Sequence, residues 1–231
     1  MSIPFYVSPE QLMADKAEYA RKGIARGRSI VSLEYDKGIV LVAENPSSLS
    51  KIGEIYDRIA FAGVGKFSEF DQLRKLGIRF CDVRGYQYSR EDVRAKALAN
   101  AYSQAIGDVF TQQMKPLEVE VIVAEVGDPR FAGHEENVMY RVQHDGTISD
   151  HHGYCGIGGA AERLETYLKD HYQAGQPLGD ALKVGVAALV AASNGGARIA
   201  AERLEICTLD RERQDRKFRR ASADEVAAIL G

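Results

Sequence analysis

Ser8–Tyr35 reads SPEQLMADKAEYARKGIARGRSIVSLEY, a capped helix followed without a linker by a strand. Ser8 can serve as N-cap, Pro9 suits the first helical position, and Gln11 completes an S-x-x-Q capping box. Leu12, Met13, Lys16, Ala17, Ala20 and Ile24 recur on one face at helical spacing, and Gly23 and Gly27 can end the helix near Arg26. The strand Ser29–Tyr35 therefore begins only after an intact helical segment. That order decides whether a strand-initial residue could act as a catalytic N-terminus.

Working outward, Asp36-Lys37-Gly38 is a turn and Ile39–Ala43 returns as the second strand of a hairpin. After the Asn45-Pro46-Ser47-Ser48 loop, Ile55–Ala62 is strand-like, and Gly63-Val64-Gly65 breaks it before a helix over Phe67–Leu76. A long helix is expected from Arg90 to Met114, with Ser89 as N-cap and acids Glu91 and Asp92 in its first turn. Lys115-Pro116 stops it. Strands follow at Val119–Ala124, Met139–Gln143 and Gly153–Gly158, then paired helices at Ala160–Gln173 and Leu178–Ser193. Leu204–Leu209 is a last strand, Asp210–Arg220 a charged connector expected to be solvated, and Ser222–Leu230 a short capped helix. Hairpins dominate, so the expected class is α+β: two largely antiparallel sheets face to face, covered by helices on both sides, in one domain over residues 1–231.

Composition excludes several functions. The chain has 231 residues, 45% of them hydrophobic and 27% charged, and a formal net charge of −3, so no polyanionic partner is implied for the whole molecule. Cys81, Cys155 and Cys207 are scattered and form no C-x-x-C, which fits buried small hydrophobes in a reducing compartment. No apolar run is long enough to span a membrane and no signal peptide opens the chain, so a cytoplasmic location is expected. His151-His152 are adjacent on an expected strand and face opposite ways, a poor metal site. Gly156-x-Gly158-Gly159 lacks the rest of a phosphate-binding motif, and Ser193-Asn194-Gly195-Gly196 is a turn. The basic residues of Arg211–Arg220 are interrupted by Glu212 and Asp215, which disfavours a nucleic-acid site.

An ordered series of motifs carries a resemblance over nearly the whole chain. It runs through Glu18-Tyr19-Ala20-Arg21, Gly27 with Ser29–Leu33, Gly38–Ala43, Ser50-Lys51-Ile52 with Tyr56-Asp57, Gly63–Phe70, and Ile157-Gly158-Gly159 before the paired helices. The series resembles α-type subunits of the 20S proteasome core particle. Ser8–Gln11, Phe61–Phe70 and Arg79–Tyr88 look most like the actinobacterial branch. The resemblance implies the four-layer αββα sandwich of N-terminal-nucleophile hydrolases, with residues 1–7 as a gating tail, 8–26 as the N-terminal helix and 28–231 as the sandwich. It implies a homo-heptameric α ring stacked on β subunits that carry the peptidase sites. It also implies an activator, either a ring-shaped AAA ATPase or an ATP-independent one, ending in a hydrophobic-tyrosine-X tail. No cofactor, metal, nucleic acid or membrane is expected.

The same resemblance assigns residues. Lys51 would bind the activator's C-terminal carboxylate, for which a compact cation on a flexible stem is suited. Gly65 would let the tail backbone approach closely, with Lys66, Glu18 and Gly27 lining the same pocket. Ile3, Pro4, Phe5, Tyr6 and Val7 form the expected gate; seven extended residues reach about 23 Å. In catalytic relatives the first strand begins at a threonine freed by processing. Arg28 falls there in this chain, and a guanidinium is no nucleophile. Glu44 falls where those enzymes carry an acid, and the short Asn45–Ser50 connector is expected to leave their catalytic lysine without a counterpart. The alternative function is an active N-terminal-nucleophile hydrolase, which would require processing to an exposed Ser, Thr or Cys; a basic-patch RNA-binding protein is a third reading.

Overall fold

The computed structural model describes residues 8–130, 133, 135–193, 198–214 and 216–230. The gate residues Ile3–Val7 lie outside that set. Helix α1 covers Pro9–Ala25 and leads into the hairpin β1 (Ile30–Tyr35) and β2 (Gly38–Glu44). A second hairpin, β3 (Ile52–Tyr56) and β4 (Ile59–Gly65), precedes helices α2 (Phe67–Gln87) and α3 (Ala95–Gln112). Strands β5 (Val119–Glu125), β6 (Val138–Val142), β7 (Ile148–His151) and β8 (Tyr154–Ile157) come next, then helices α4 (Ala161–His171) and α5 (Leu178–Ala192). Strands β9 (Leu204–Asp210) and β10 (Phe218–Arg220) and helix α6 (Ala223–Leu230) complete the order.

Two five-stranded sheets result, β10-β9-β2-β1-β8 and β3-β4-β5-β6-β7, and the pairings within them are antiparallel. The central strands are apolar on both faces because both faces are covered. In β2, Ile39, Leu41 and Ala43 point into the space between the sheets, where they meet Ile52, Ile122 and Met139. The alternate residues Val40 and Val42 face α4 and α5, packing with Leu164, Leu168 and Leu189. On the second sheet, Val121 and Val123 of β5 face α2 and α3 together with Phe61, Leu73, Leu98 and Tyr102. The layers are therefore helix, sheet, sheet, helix, and the three cysteines are buried and unpaired within them.

Several sequence expectations are corrected. Ile55–Ala62 is not one strand: Asp57-Arg58 turns the chain between β3 and β4 without a glycine, and Arg58 is held there as its carbonyl accepts from Val126 N at 3.0 Å. Helix α2 runs on to Gln87, its Gly77 facing the Tyr102 ring of α3. The expected helix Arg90–Met114 starts later, because Ser89 caps only a 3₁₀ turn, Arg90–Asp92. The first turn of α3 is capped instead from the sheet, where Glu125 accepts from Ala95 N at 2.7 Å. The strand expected at His151-His152 is β7, which ends at His151, and His152 lies outside it in the turn to β8. The charged stretch Asp210–Arg220 is solvated at Glu212, Arg213, Gln214 and Arg216, as expected, but it is also anchored to the fold. Lys217 is buried, donating to Arg211 O at 2.7 Å, Arg216 pairs with Glu54, and Phe218–Arg220 adds a strand. The capping box of α1 is half made: Gln11 N donates to Ser8 Oγ, while its side chain turns to Asp15.

Candidate functional site

The site forms where α1 ends, β1 begins and the β3–β4 hairpin opens. The connector after β2 is folded tightly by its own polar groups. Asn45 Nδ2 donates to Leu49 O at 2.8 Å, and Ser47 N donates to Asn45 Oδ1 at 3.1 Å. This turn delivers Lys51 to the start of β3, where its ammonium donates to Arg28 O at 2.9 Å and Glu44 O at 3.3 Å. Two of its three N–H groups are thus placed by carbonyls, and no carboxylate among the described residues lies within ion-pair distance of it. Burial pushes the Lys51 pKa down to about 8; Glu205 opposes that shift, Arg28 adds to it and Glu44 opposes it.

Glu44 itself is gripped from two sides, by Arg28 and Arg203, each at 2.6 Å. Arg28 therefore turns its guanidinium on the acid beside it and its carbonyl on Lys51. The sequence offers no matched counterpart of the catalytic lysine near the first strand, because the connector is short. Lys51 is there, beside Glu44, once the short connector has turned back. What is missing is the nucleophile: Arg28 occupies the position, and the intact α1 precedes it in the chain.

Gly27 and Gly65 meet at the same place. A Cβ on Gly27 would lie 2.9 Å from Val64 Cγ1 and 3.0 Å from Gly65 N, so only glycine lets the end of α1 sit on the end of β4. Gly65 has φ +111°, and a Cβ there would lie 1.9 Å from Glu118 O. Lys66 follows with its backbone N donating to Glu118 O at 2.9 Å, while its ammonium pairs with Glu69 at 3.3 Å. Glu69 also takes Lys115 at 2.9 Å, and Lys115 reaches Glu118 at 3.0 Å, so Lys66 belongs to a surface charge network. Glu18 stands further up α1, exposed and paired with Lys22 at 2.6 Å. The structure thus gathers Gly27, Lys51 and Gly65 around the Arg28 backbone and leaves the Glu18 carboxylate and Lys66 ammonium with other partners.

Sequence reasoning missed Glu205. Its buried carboxylate, on β9, accepts from the backbone N–H of Lys51 at 2.9 Å and of Ile52 at 3.1 Å. An acid on the last strand had no spacing that tied it to residues more than 150 positions earlier. The one available signal was an acid in a strand followed by a cluster of arginines.

Two antiparallel sheets between two helical layers, with a strand-initial arginine in place of a nucleophile, define a non-catalytic member of the N-terminal-nucleophile hydrolase fold class. The model of the proteasome subunit family matches residues 24–209, so this chain belongs to the proteasome subunit family. Its full length is similar to chains named proteasome subunit alpha. It is 51% identical over 237 residues to that of Kineococcus radiotolerans, with 98% of the relative covered. The Streptomyces coelicolor chain is 53% identical over 234 residues, with 91% covered, and the Thermomonospora curvata chain 51% over 231 residues, with 98% covered. No described helix is long and apolar enough to cross a membrane.

Proposed function

We propose that this chain builds a homo-heptameric α ring on proteasome β subunits, gates admission of substrate with Ile3–Val7, and docks activators at Lys51. The observation that carries the docking reading is the Lys51 ammonium, preset on the carbonyls of Arg28 and Glu44 with one N–H still to be used. A ligand carboxylate completes that set, and the glycine backbones at Gly27 and Gly65 let an extended tail lie close beside it. Lys66 and Glu18 act at the rim of this pocket, where a bound tail competes with Glu69 and Lys22 for them. The partner is a ring-shaped AAA ATPase or an ATP-independent activator with a free C-terminal carboxylate, working in the cytoplasm.

The gate is tested on the assembled particle, whose ring composition native mass spectrometry reads directly. Deleting Ser2–Val7 is expected to raise unstimulated hydrolysis of a short fluorogenic peptide several-fold while a seven-fold ring persists. Unchanged hydrolysis removes the gate assignment.

Docking is also expected to depend on pH in one direction. The ligand needs the ammonium form of Lys51, which is fully present well below pH 8 and is lost as pH rises through about 8. Affinity for a tail peptide with a free carboxylate is expected to be flat from pH 6 to 7. Above pH 8 it falls by up to about tenfold per unit, as the charged fraction does. Titrations by fluorescence anisotropy check this, and a profile that stays flat to pH 10 contradicts it.

A further inference from the structure

We propose that Glu205 is the positioning residue of the docking lysine and that Arg220 locks Glu205 in that role; the inference rests on the docking reading above. Glu205 sits on β9 opposite Ala43 of β2, in the first sheet, yet its carboxylate reaches the first residues of β3 in the second. One oxygen accepts from Lys51 N at 2.9 Å and from Asn45 Nδ2 at 2.6 Å. The other accepts from Ile52 N at 3.1 Å and is paired with the Arg220 guanidinium. Arg220 also donates to Ile52 O at 2.6 Å. The buried charge is therefore surrounded by four donors from three separate segments, the condition under which a buried carboxylate is fully satisfied.

The consequence for Lys51 is geometric. Glu205 and Arg220 fix the backbone where β3 begins, and Asn45 ties the connector to the same carboxylate. From that fixed Cα the lysine stem reaches the carbonyls of Arg28 and Glu44, which are themselves held by the Arg28–Glu44–Arg203 ion pairs. Lys51 is ordered at both ends before any ligand arrives, so binding a carboxylate does not have to immobilise a free lysine stem. The charged groups around the ammonium are Glu205 from β9, Arg28 ahead of β1 and Glu44 from β2.

The test uses the assembled core particle and a fluorescein-labelled peptide ending in hydrophobic-tyrosine-X with a free C-terminal carboxylate, the amidated peptide serving as control. Glu205→Gln keeps the volume but sets an amide donor against one of the two backbone N–H groups. Leaving such a donor unpaired is expected to weaken peptide binding about tenfold. The pH profile is read on Arg220→Gln, because Glu205→Gln also removes the carboxylate charge that holds the Lys51 pKa up; loss of packing elsewhere would leave the profile in place. Arg220→Gln leaves both backbone N–H groups able to donate to Glu205 and keeps its charge, so binding is expected to weaken about threefold and the pH at which it falls off to rise, as the released Lys51 becomes better hydrated. If the Glu205→Gln particle does not assemble, Arg220→Gln decides alone. Unchanged affinity and pH profile in the assembled variants, with Lys51→Ala abolishing binding, overturns the positioning role and leaves docking intact. Undiminished binding by Lys51→Ala overturns the docking reading and this inference with it.

Discussion

Replacing Lys51 with alanine is expected to abolish activator-stimulated degradation while leaving the ring assembled. The side chain is only partly buried and its hydrogen bonds are to two backbone carbonyls, so its loss is expected to cost little stability. The two carbonyls it releases, of Arg28 and Glu44, lie at the end of a hairpin where water can replace it. In the docking role proposed above, the variant loses a charge-assisted hydrogen bond to the activator carboxylate, worth about 1.5–3 kcal/mol, which weakens each tail about 10- to 150-fold. Several tails engaging one ring multiply the loss. Degradation of a folded, tagged substrate should therefore drop to the level seen without activator, with native mass spectrometry confirming the ring. Lys51→Arg should rescue poorly, because a planar fork cannot occupy the two-carbonyl seat of a compact ammonium. Stimulation unchanged in Lys51→Ala would remove Lys51 from the site.

Gly65→Ala is expected to damage the fold more than any other single change near the site. Its φ of +111° lies in the region that side chains avoid, and the added methyl would be 1.9 Å from Glu118 O. That carbonyl cannot retreat easily: it accepts from Lys66 N at 2.9 Å, and β4 and β5 are in register to Gly65 and Val119. Backbone strain of about 1–3 kcal/mol and the clash together put the cost at or above about 3 kcal/mol. A chain of this size then loses about 6–12 °C in the midpoint of thermal unfolding. Gly27 would feel the shift, since its backbone rests on Gly65, so tail docking should fail in any particle that still assembles. A variant melting within 2 °C of the parent would contradict this account.

The parts of the fold legible in the sequence are those specified within a few residues. Ser8-Pro9 starts α1, Asp36-Lys37-Gly38 closes the first hairpin, and Ile39–Ala43 announces a strand buried on both faces. Illegible parts are specified from a distance. The start of α3 is set by Glu125, thirty positions later, and no local cap marks it. The Asp57-Arg58 turn lacks glycine or proline, so two short strands read as one. At the site, the resemblance pointed to Lys51, Gly27 and Gly65, and the glycines have a steric reason for being glycine. The Glu44 and Glu205 settings could not be read, because each joins strands far apart in sequence.

The Glu205–Arg220 pair also bears on how this chain stays out of the wrong assemblies. Strand β3 is an outer strand of its sheet, and outer strands offer unpaired backbone groups to any passing chain. Here the N–H of Lys51 and Ile52 and the carbonyl of Ile52 are already occupied by side chains from the opposite sheet. At that end β3 has no ladder to extend, so strand-on-strand aggregation is blocked by the same two residues that set the lysine. A subunit that assembles into a ring is thereby left to meet its neighbours through its folded faces and not through this end of the sheet edge.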